Sequence, residues 1–267
     1  MSEEPFLEFT HIEKNSGTAV LWTIESVIQK DRIFLYSPDA DRITSYSDNL
    51  QPRTSEMVEA LHGVIATPFL GPLVMSLYPL VNGLYVRKIL QRYPDLRVPQ
   101  EADVLFGHFL TGQFDHLIQR RPIRATIVRD PIDRMRSHYD HWRRNLGYAN
   151  WRVQIPYDSS LVFEDFAMLP ELRNYQVQAL NGRRPVDFDL VGVPENIRYF
   201  LFLLMARLHK EGIIESNVDI APPVLNFTPL KTRTNVSKLS SGFISQFERF
   251  HSLDYCLYRE ARAWVPE

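Results

Sequence analysis

The stretch Arg124–Asp140 reads R-A-T-I-V-R-D-P-I-D-R-M-R-S-H-Y-D and passes directly from a β-type run into a helical one. Ala125–Val128 is short, apolar and contains β-branched residues, which predicts a buried strand. Asp130 suits the cap of the helix, and Pro131 suits its first position. A helix N-terminus offers unpaired N–H groups and a positive dipole end, both of which favour phosphate. The stretch therefore predicts a strand-to-helix anion site, although a purely structural turn has the same pattern.

Two side chains of this stretch are suited to hold an anion. Arg129 carries a planar guanidinium that can form two parallel hydrogen bonds to phosphate oxygens. Ser137, two helical turns later, adds a hydroxyl donor. The alternative is that Arg129 pairs with Asp130 or Asp133 and only stabilises the turn.

A second strand, loop and helix are predicted near the N-terminus. Phe6–Ile12 alternates as a first strand does, and Thr18–Lys30 returns to helical spacing. In the loop between them, backbone N–H groups can cradle a phosphate while Lys14 supplies a movable charge. The Walker A pattern is absent from the sequence, which disfavours an ordinary ATP-hydrolysing P-loop.

Four motifs in this order resemble those of sulfotransferases, most of all the family 2 or heparan-sulfate 2-O type. They are H-I-E-K-N-S-G-T at 11–18, G-H-F at 107–109, R-D-P-I-D-R-M-R-S-H-Y at 129–139 and L-N-F-T-P at 225–229. The resemblance implies a P-loop-like sulfotransferase fold, which is an α/β fold with a central parallel sheet flanked by helices. We expect residues 1–267 to form a single domain of this kind.

In that family the first loop binds the 5′-phosphosulfate of 3′-phosphoadenosine-5′-phosphosulfate (PAPS), and the arginine and serine of the R-D-P motif bind its 3′-phosphate. The resemblance therefore implies PAPS as co-substrate, 3′,5′-adenosine bisphosphate as product, and no metal. The implied cofactor-binding residues are Lys14, Asn15, Ser16, Gly17, Thr18, Arg129, Ser137, Lys231, Thr232 and Arg233. The last three belong to a basic loop that closes over the nucleotide in family members.

The motif G-H-F supplies the candidate base. Val104–Phe109 is predicted to be a strand that brings His108 to its C-terminal end, the edge where parallel sheets bind ligands. A neutral imidazole can take a proton from an attacking hydroxyl near neutral pH. By resemblance, His108 is the base and Lys14 the second catalytic residue of an in-line sulfuryl transfer. From position alone, a packed or surface histidine is the alternative.

The first loop departs from the family's usual H-I-P-K-T-G-G-T-S. The replaced positions are Glu13, Asn15, Ser16 and Ala19. Ala19 removes a possible phosphate donor, and Glu13 places a negative charge beside a site meant for anions. These two changes favour a catalytically silent nucleotide-binding scaffold as one rival function. The other rival is a kinase-like phosphotransferase, for which Asp130 is the candidate Mg²⁺ ligand.

Composition limits the remaining functions. With 267 residues, 45% of them hydrophobic, and a net charge of −2, the chain suits one globular domain and gives no reason to expect nucleic-acid binding. The acidic start M-S-E-E-P is unlike a secretory signal, so we expect a cytoplasmic protein. The apolar stretches 64–80 and 199–208 are interrupted or too short to cross a membrane.

Several side chains and segments have open roles. Gly63–Tyr85 is predicted to be a lid or acceptor wall, or else extra core, and Asn174 and Gln178 to face a polar acceptor or solvent. His138 and His141 are expected on a solvated or structural helix face rather than at a metal. The remaining expectations concern Tyr199–Leu208, a helix buried on most sides, a last helix over Ser241–Trp264, and Cys256, a core residue in that helix. The acceptor is a carbohydrate or another small or lipid hydroxyl, and the oligomeric state is not predicted.

Overall fold

The computed structural model describes residues 4–37, 42–45, 102–115, 120–145, 147–149, 153–215 and 239–264. The strands are β1 (Phe6–Thr10), β2 (Ile33–Ser37), β3 (Arg42–Ser45), β4 (Val104–Gly107), β5 (Pro122–Ile127), β6 (Gly147–Ala149), β7 (Gln154–Pro156) and β8 (Leu190–Gly192). The α-helices are α1 (Gly17–Glu25), α2 (Pro131–Arg144), α3 (Phe163–Ala167), α4 (Tyr175–Ala179), α5 (Ile197–Lys210), α6 (Ser241–Phe250) and α7 (Ser252–Ala263). Short 3₁₀ helices cover Lys30–Arg32, Pro170–Leu172, Pro185–Asp187 and Pro194–Asn196.

The main sheet of the described residues has six strands in the order β3-β2-β4-β1-β5-β8. Five of them pair in parallel, and β3 joins the edge antiparallel to β2. The strands β6 and β7 form a separate antiparallel pair. This arrangement confirms the predicted central parallel sheet flanked by helices. It also sets the carboxyl ends of β4, β1 and β5 side by side, which is where open α/β sheets bind ligands.

The central strand β1 is buried on both faces, as expected of a parallel sheet covered by helices. On one face, Leu7 and Phe9 belong to a cluster that includes residues of α1 and α5. A larger cluster joins α2, α3, α4, α6 and α7 and includes Ile12 and Val128, which follow β1 and β5. The loops that end β1 and β5 are therefore anchored in the core.

The helix α5 corrects the prediction of a segment buried on most sides. Tyr199 is 42% exposed and Phe202 is 62% exposed, while Phe200, Leu204 and Leu208 are buried. Only one face of the helix packs against the sheet, so its other face keeps large apolar side chains in solvent. A continuous apolar run in the sequence does not reveal which of its side chains are buried and which are exposed.

The predicted last helix is two helices, α6 and α7, because His251 leaves the helical conformation with φ −102° and ψ 30°. Its buried ring is held at Nε2 by the carbonyl of Ala167 (2.8 Å) and at Nδ1 by the N–H of Asn174 (3.3 Å). The prediction for Cys256 is also wrong, since its side chain is exposed on α7.

Other predicted boundaries hold with small shifts. The strand β5 ends in an Asp130-capped helix with Pro131 first, as predicted. Gly182 follows α4 with φ +72°, and its N–H donates to the carbonyl of Val177 (2.9 Å), as is typical of a glycine that ends a helix. The segment Gly63–Tyr85 and the loop of Lys231, Thr232 and Arg233 lie outside the described residues. In the described ranges, no helix is both long and apolar enough to cross a bilayer.

Candidate active site

Three predicted site residues follow three adjacent strands. Lys14 follows β1, His108 follows β4, and Arg129 follows β5. All three therefore lie at the carboxyl edge of the sheet, on its central strands. The sequence predicted this meeting, because the loops after neighbouring parallel strands share one edge.

The first loop, residues 11–16, has an unusual backbone. Lys14 (φ +69°) and Ser16 (φ +63°) both adopt the left-handed conformation, which side chains other than glycine rarely take. Gly17 is required for a different reason, since a Cβ at this position would lie 2.0 Å from Nε2 of His11. Strained non-glycine residues concentrate at ligand-binding sites, where surrounding contacts hold them in place.

Asn15 supplies one of those holding contacts. Its buried side-chain amide donates to the carbonyl of Ile127 (2.8 Å) and to Oε1 of Gln176 (2.7 Å), and its backbone N–H donates to Ile12 (3.2 Å). Asn15 was predicted to bind the cofactor. Its binding to the cofactor stays a prediction, and the contacts within the protein make Asn15 a support of the loop.

Gln176 joins the loop after β1 to the loop after β5. Its Oε1 also accepts from the N–H of Arg129 (3.0 Å), and its Nε2 donates to the carbonyl of Arg129 (2.9 Å). Sequence reasoning missed this residue and proposed Asn174 and Gln178 on the same helix. Asn174 accepts from the N–H groups of α7, and Gln178 is exposed and donates to the carbonyl of Arg173. Burial on α4 distinguishes Gln176 from Gln178, but only the tertiary structure shows which side of this helix is buried.

Arg129 lies against the first loop, with Nη1 donating to the carbonyl of Lys14 (3.0 Å). The neighbouring Asp130 uses Oδ1 to cap α2, accepting from the N–H groups of Ile132 (3.0 Å) and Asp133 (3.1 Å). Ser137 is half-buried two turns further along α2. The guanidinium thus connects two loops whose helices both begin at this edge of the sheet.

Lys14 lies in a strongly cationic environment. Burial, followed by the charges of Arg144 and Arg134, lowers the pKa of its ammonium to about 8, although Glu13 acts in the opposite direction. Arg134 is itself 1% exposed, and its Nε and Nη2 have no hydrogen-bond partner among the described residues. Buried cations in such surroundings favour an anion. The residues present therefore fit a phosphate or sulfate group.

The start of α1 adds neutral donors to these charges. Ser16 is the half-buried cap residue, Gly17 is the first helical residue, and Thr18 is exposed in the first turn. The first N–H groups of a helix have no partner within the helix, and its dipole makes this end positive. Ala19 is buried, so the position that lacks a hydroxyl faces the core.

His108 is oriented by two acceptors on the same ring nitrogen. Its Nδ1 lies 2.7 Å from the carbonyl oxygen of His11 and 3.6 Å from Oε1 of Glu13. A carbonyl can only accept, so Nδ1 carries the proton in the neutral ring, and Nε2 is left with a lone pair. The ring also stacks on that of His11 at 4.3 Å, and its side chain is 32% exposed. This tautomer is the one that a general base at Nε2 requires.

Glu13 points to His108 and to α4. Its Oε2 accepts from the hydroxyl of Tyr175 (2.6 Å). Burial alone would raise the pKa of this carboxyl, but attraction to His108 and the hydrogen bonds from Tyr175 and the backbone hold it well below its usual range. The negative charge that the sequence placed beside the anion site is therefore engaged by the histidine and the tyrosine.

The two helical histidines of α2 differ in environment. His138 is fully buried, with its ring edge-on to those of Phe166 (5.7 Å) and Tyr175 (6.1 Å), and burial followed by the charge of Arg134 holds its pKa well below the usual value. His141 is half-buried, and burial with the charges of Lys14 and Arg144 lowers its pKa to about 4. His138 thus takes the structural role, and the charge of Lys14 acts on both rings.

No protein-family model matches the sequence, and no curated protein matches it significantly. Among solved structures, retinol dehydratase in a complex with retinol and PAP is 12% identical, over 95% of this chain and 82% of that one, with a TM-score of 0.47. Retinol dehydratase in complex with androsterone and inactive cofactor PAP is 14% identical, over 95% of this chain and 65% of that one, with a TM-score of 0.40. Likenesses this weak do not decide the activity or ligands of this chain.

Proposed function

We propose that this chain is a PAPS-dependent sulfotransferase that transfers a sulfuryl group to a hydroxyl of a carbohydrate or another small or lipid acceptor. The observation that carries the proposal is the meeting of three features on adjacent strand ends. They are a strained loop with Lys14, an arginine at a helix start, and a histidine whose Nε2 is available as a base. Each feature matches one need of sulfuryl transfer from an adenylate donor.

The donor nucleotide is held by two groups of residues in this proposal. Lys14 and the N–H groups of Gly17 and Thr18 hold its 5′-phosphosulfate, because the first loop presents a cation and a positive helix end together. Arg129 and Ser137 hold its 3′-phosphate from the start and second turn of α2. The resemblance in sequence adds Lys231, Thr232 and Arg233 as further contacts.

PAPS supplies the sulfuryl group and leaves as 3′,5′-adenosine bisphosphate. His108 accepts the proton of the acceptor hydroxyl at Nε2 while its Nδ1–H stays bonded to the carbonyl of His11. Lys14 and the start of α1 stabilise the negative charge that develops on the leaving oxygen. Loss of one such preorganised donor typically raises a barrier by ~3 kcal/mol, which corresponds to more than a hundredfold in rate.

Calorimetric titration with 3′,5′-adenosine bisphosphate tests the proposal. We expect binding in the micromolar range, a loss of at least tenfold in affinity for Arg129→Ala, and much weaker binding of ADP, which lacks the 3′-phosphate. Arg121→Ala is the matched control. Arg129 follows β5, whereas Arg121 immediately precedes β5 and pairs with Glu211 at the opposite end of the strand, on the order of 20 Å from Arg129.

Equal binding of the two nucleotides, or no binding of either, would overturn the proposal. Binding of ADP with a requirement for Mg²⁺ would favour a phosphotransferase. Tight binding of the bisphosphate without turnover of PAPS on any hydroxyl acceptor would favour a nucleotide-binding scaffold.

A further inference from the structure

We propose that Glu13 is a positioning residue that acts through His108, orienting its imidazole and stabilising the imidazolium that forms when Nε2 takes a proton. The inference rests on the proposed function for its catalytic meaning, but the contact itself does not. A glutamate at this position was the least expected feature of the first loop.

The geometry joins base and carboxylate directly. Oε1 of Glu13 lies 3.6 Å from Nδ1 of His108, the nitrogen that also contacts the carbonyl of His11 at 2.7 Å. Among the described residues, Glu13 is the carboxylate within ion-pairing distance of this histidine. The arrangement resembles a carboxylate behind a histidine base. Here the carbonyl of His11 fixes the tautomer, and the carboxylate of Glu13 balances the positive charge.

Glu13 is fixed in this direction from its other side. Tyr175, which is fully buried, donates its hydroxyl to Oε2 at 2.6 Å. The guanidinium of Arg134 lies over the face of the same tyrosine ring, 4.7 Å from its centroid. A carboxylate held by a hydrogen bond from a buried tyrosine loses little further freedom when the histidine becomes charged, so its attraction is available at that moment.

The surrounding groups leave Glu13 as the source of negative charge. Titratable and charged groups face the pair from the first loop, α2 and α4. They are His11, Lys14, Arg134, His138, His141 and Tyr175. Lys14 and Arg134 are cationic near pH 7, and the hydroxyl of Tyr175 is neutral. Burial, followed by the charge of His108, holds the pKa of His11 well below its usual value. The pKa values of His138 and His141 are lowered as well, so these three rings are neutral near pH 7. Glu13 therefore offsets an otherwise cationic neighbourhood.

The proton balance of the step is simple. The acceptor O–H bond breaks, its proton moves to Nε2 of His108, and the oxygen forms its bond to sulfur as the bond from sulfur to the leaving oxygen breaks. His108 then carries one positive charge, paired with the carboxylate of Glu13. Release of that proton to solvent restores the neutral ring, and Glu13 remains ionised throughout.

Titration of the His108 ring by NMR tests the contact without any substrate. The Hε1 signal is assigned with His108→Gln and followed against pH in the wild type and in Glu13→Gln, which keeps an acceptor for Tyr175 but lacks the charge. We expect His108 to lose its proton at lower pH in Glu13→Gln than in the wild type, because removal of an opposite charge at this distance disfavours the protonated ring. Glu195→Gln is the matched control, since Glu195 also accepts from a tyrosine hydroxyl, that of Tyr258 at 2.8 Å. The titration midpoint of His108 in Glu195→Gln should equal that in the wild type.

The pH dependence of sulfuryl transfer gives the second readout. In Glu13→Gln the acidic limb of kcat/KM should move to lower pH while the plateau falls about tenfold, a combination that a general loss of structure does not produce. Glu13→Asp, which keeps the charge, should leave the NMR midpoint within about half a unit of the wild type.

An unchanged His108 midpoint in Glu13→Gln overturns the inference, as does an equal fall in Glu13→Asp and Glu13→Gln. If the wild type transfers no sulfuryl group, the proposed function fails, but the NMR comparison still decides whether Glu13 controls the protonation of His108.

Discussion

Replacement of Gln176 by methionine should disconnect the two loops of the candidate site. Methionine has a similar length and volume but neither donates nor accepts strong hydrogen bonds, so the packing of α4 is kept. Gln176 is fully buried and bonds Asn15 once and the backbone of Arg129 twice. The change therefore removes bonds that join β1 and β5 beyond their strand ends.

The size of the effect follows from those three contacts, which measure 2.7, 3.0 and 2.9 Å. At ~1 kcal/mol for each hydrogen bond, the free energy of unfolding should fall by about 3 kcal/mol. For a protein of this size, that lowers Tm by roughly 6–12 °C. The affinity for 3′,5′-adenosine bisphosphate should fall as well, because Lys14 and Arg129 are no longer held together.

Urea unfolding followed by circular dichroism measures the first effect, and calorimetry the second. Gln178→Met on the same helix is the control, since Gln178 is exposed and its side chain donates to the nearby carbonyl of Arg173. It should change the free energy of unfolding by less than about 0.5 kcal/mol. If Gln176→Met and Gln178→Met have equal stability, Gln176 does not join the two loops and the account of the site is wrong.

Three further changes test other parts of the structure. Gly17→Ala should displace the ring of His11 and weaken bisphosphate binding at least tenfold in calorimetry, since its Cβ would lie 2.0 Å from Nε2; unchanged binding would contradict the close packing. Asp130→Ala should lower Tm through a loss of about 1 kcal/mol, because it removes the cap of α2. Burial lowers the pKa of His251 to about 4. The folded state therefore binds its proton less readily than the unfolded state, and the stability from this residue is present above pH ~6.5 and lost toward pH 4. Urea unfolding should show the wild type losing on the order of 2 kcal/mol more than His251→Gln between pH 7 and pH 4.5.

The sequence predicts those parts of the fold that depend on interactions between residues close together in the chain. Asp130 and Pro131 mark the start of α2 because a cap and a fixed φ act within one turn of the chain. Gly182 marks the end of α4 for the same kind of reason. The meeting of Lys14, His108 and Arg129 at one edge follows from the strand order, which the structure supplies. The family resemblance implied only that the three residues serve one reaction.

The parts that the sequence does not predict depend on contacts between distant segments. Gln176 and Gln178 are the same residue type, two positions apart in N-Y-Q-V-Q-A. Only the packing of α4 determines that Gln176 is buried and Gln178 is not. The break at His251 likewise needs Ala167 and Asn174, which lie far away in sequence. For Glu13, residue type gives the negative charge, but only the structure shows that the carboxylate faces His108 and Tyr175.

The short helix α4 links the two halves of the site through neighbouring residues. Tyr175 holds Glu13 beside His108, the proposed base, and Gln176 holds Asn15 and Arg129 at the proposed anion site. The helix start is fixed in turn by the buried Asp254, whose two oxygens accept from the N–H groups of Gln176 (3.2 Å) and Val177 (2.9 Å). A five-residue helix is too short to be stable by itself, so its position depends on these contacts. Because Glu13, Asn15 and Arg129 all depend on α4, any displacement of α4 changes the surroundings of His108 and of the proposed anion site together. One part of the core therefore sets the relative geometry of these two parts of the site.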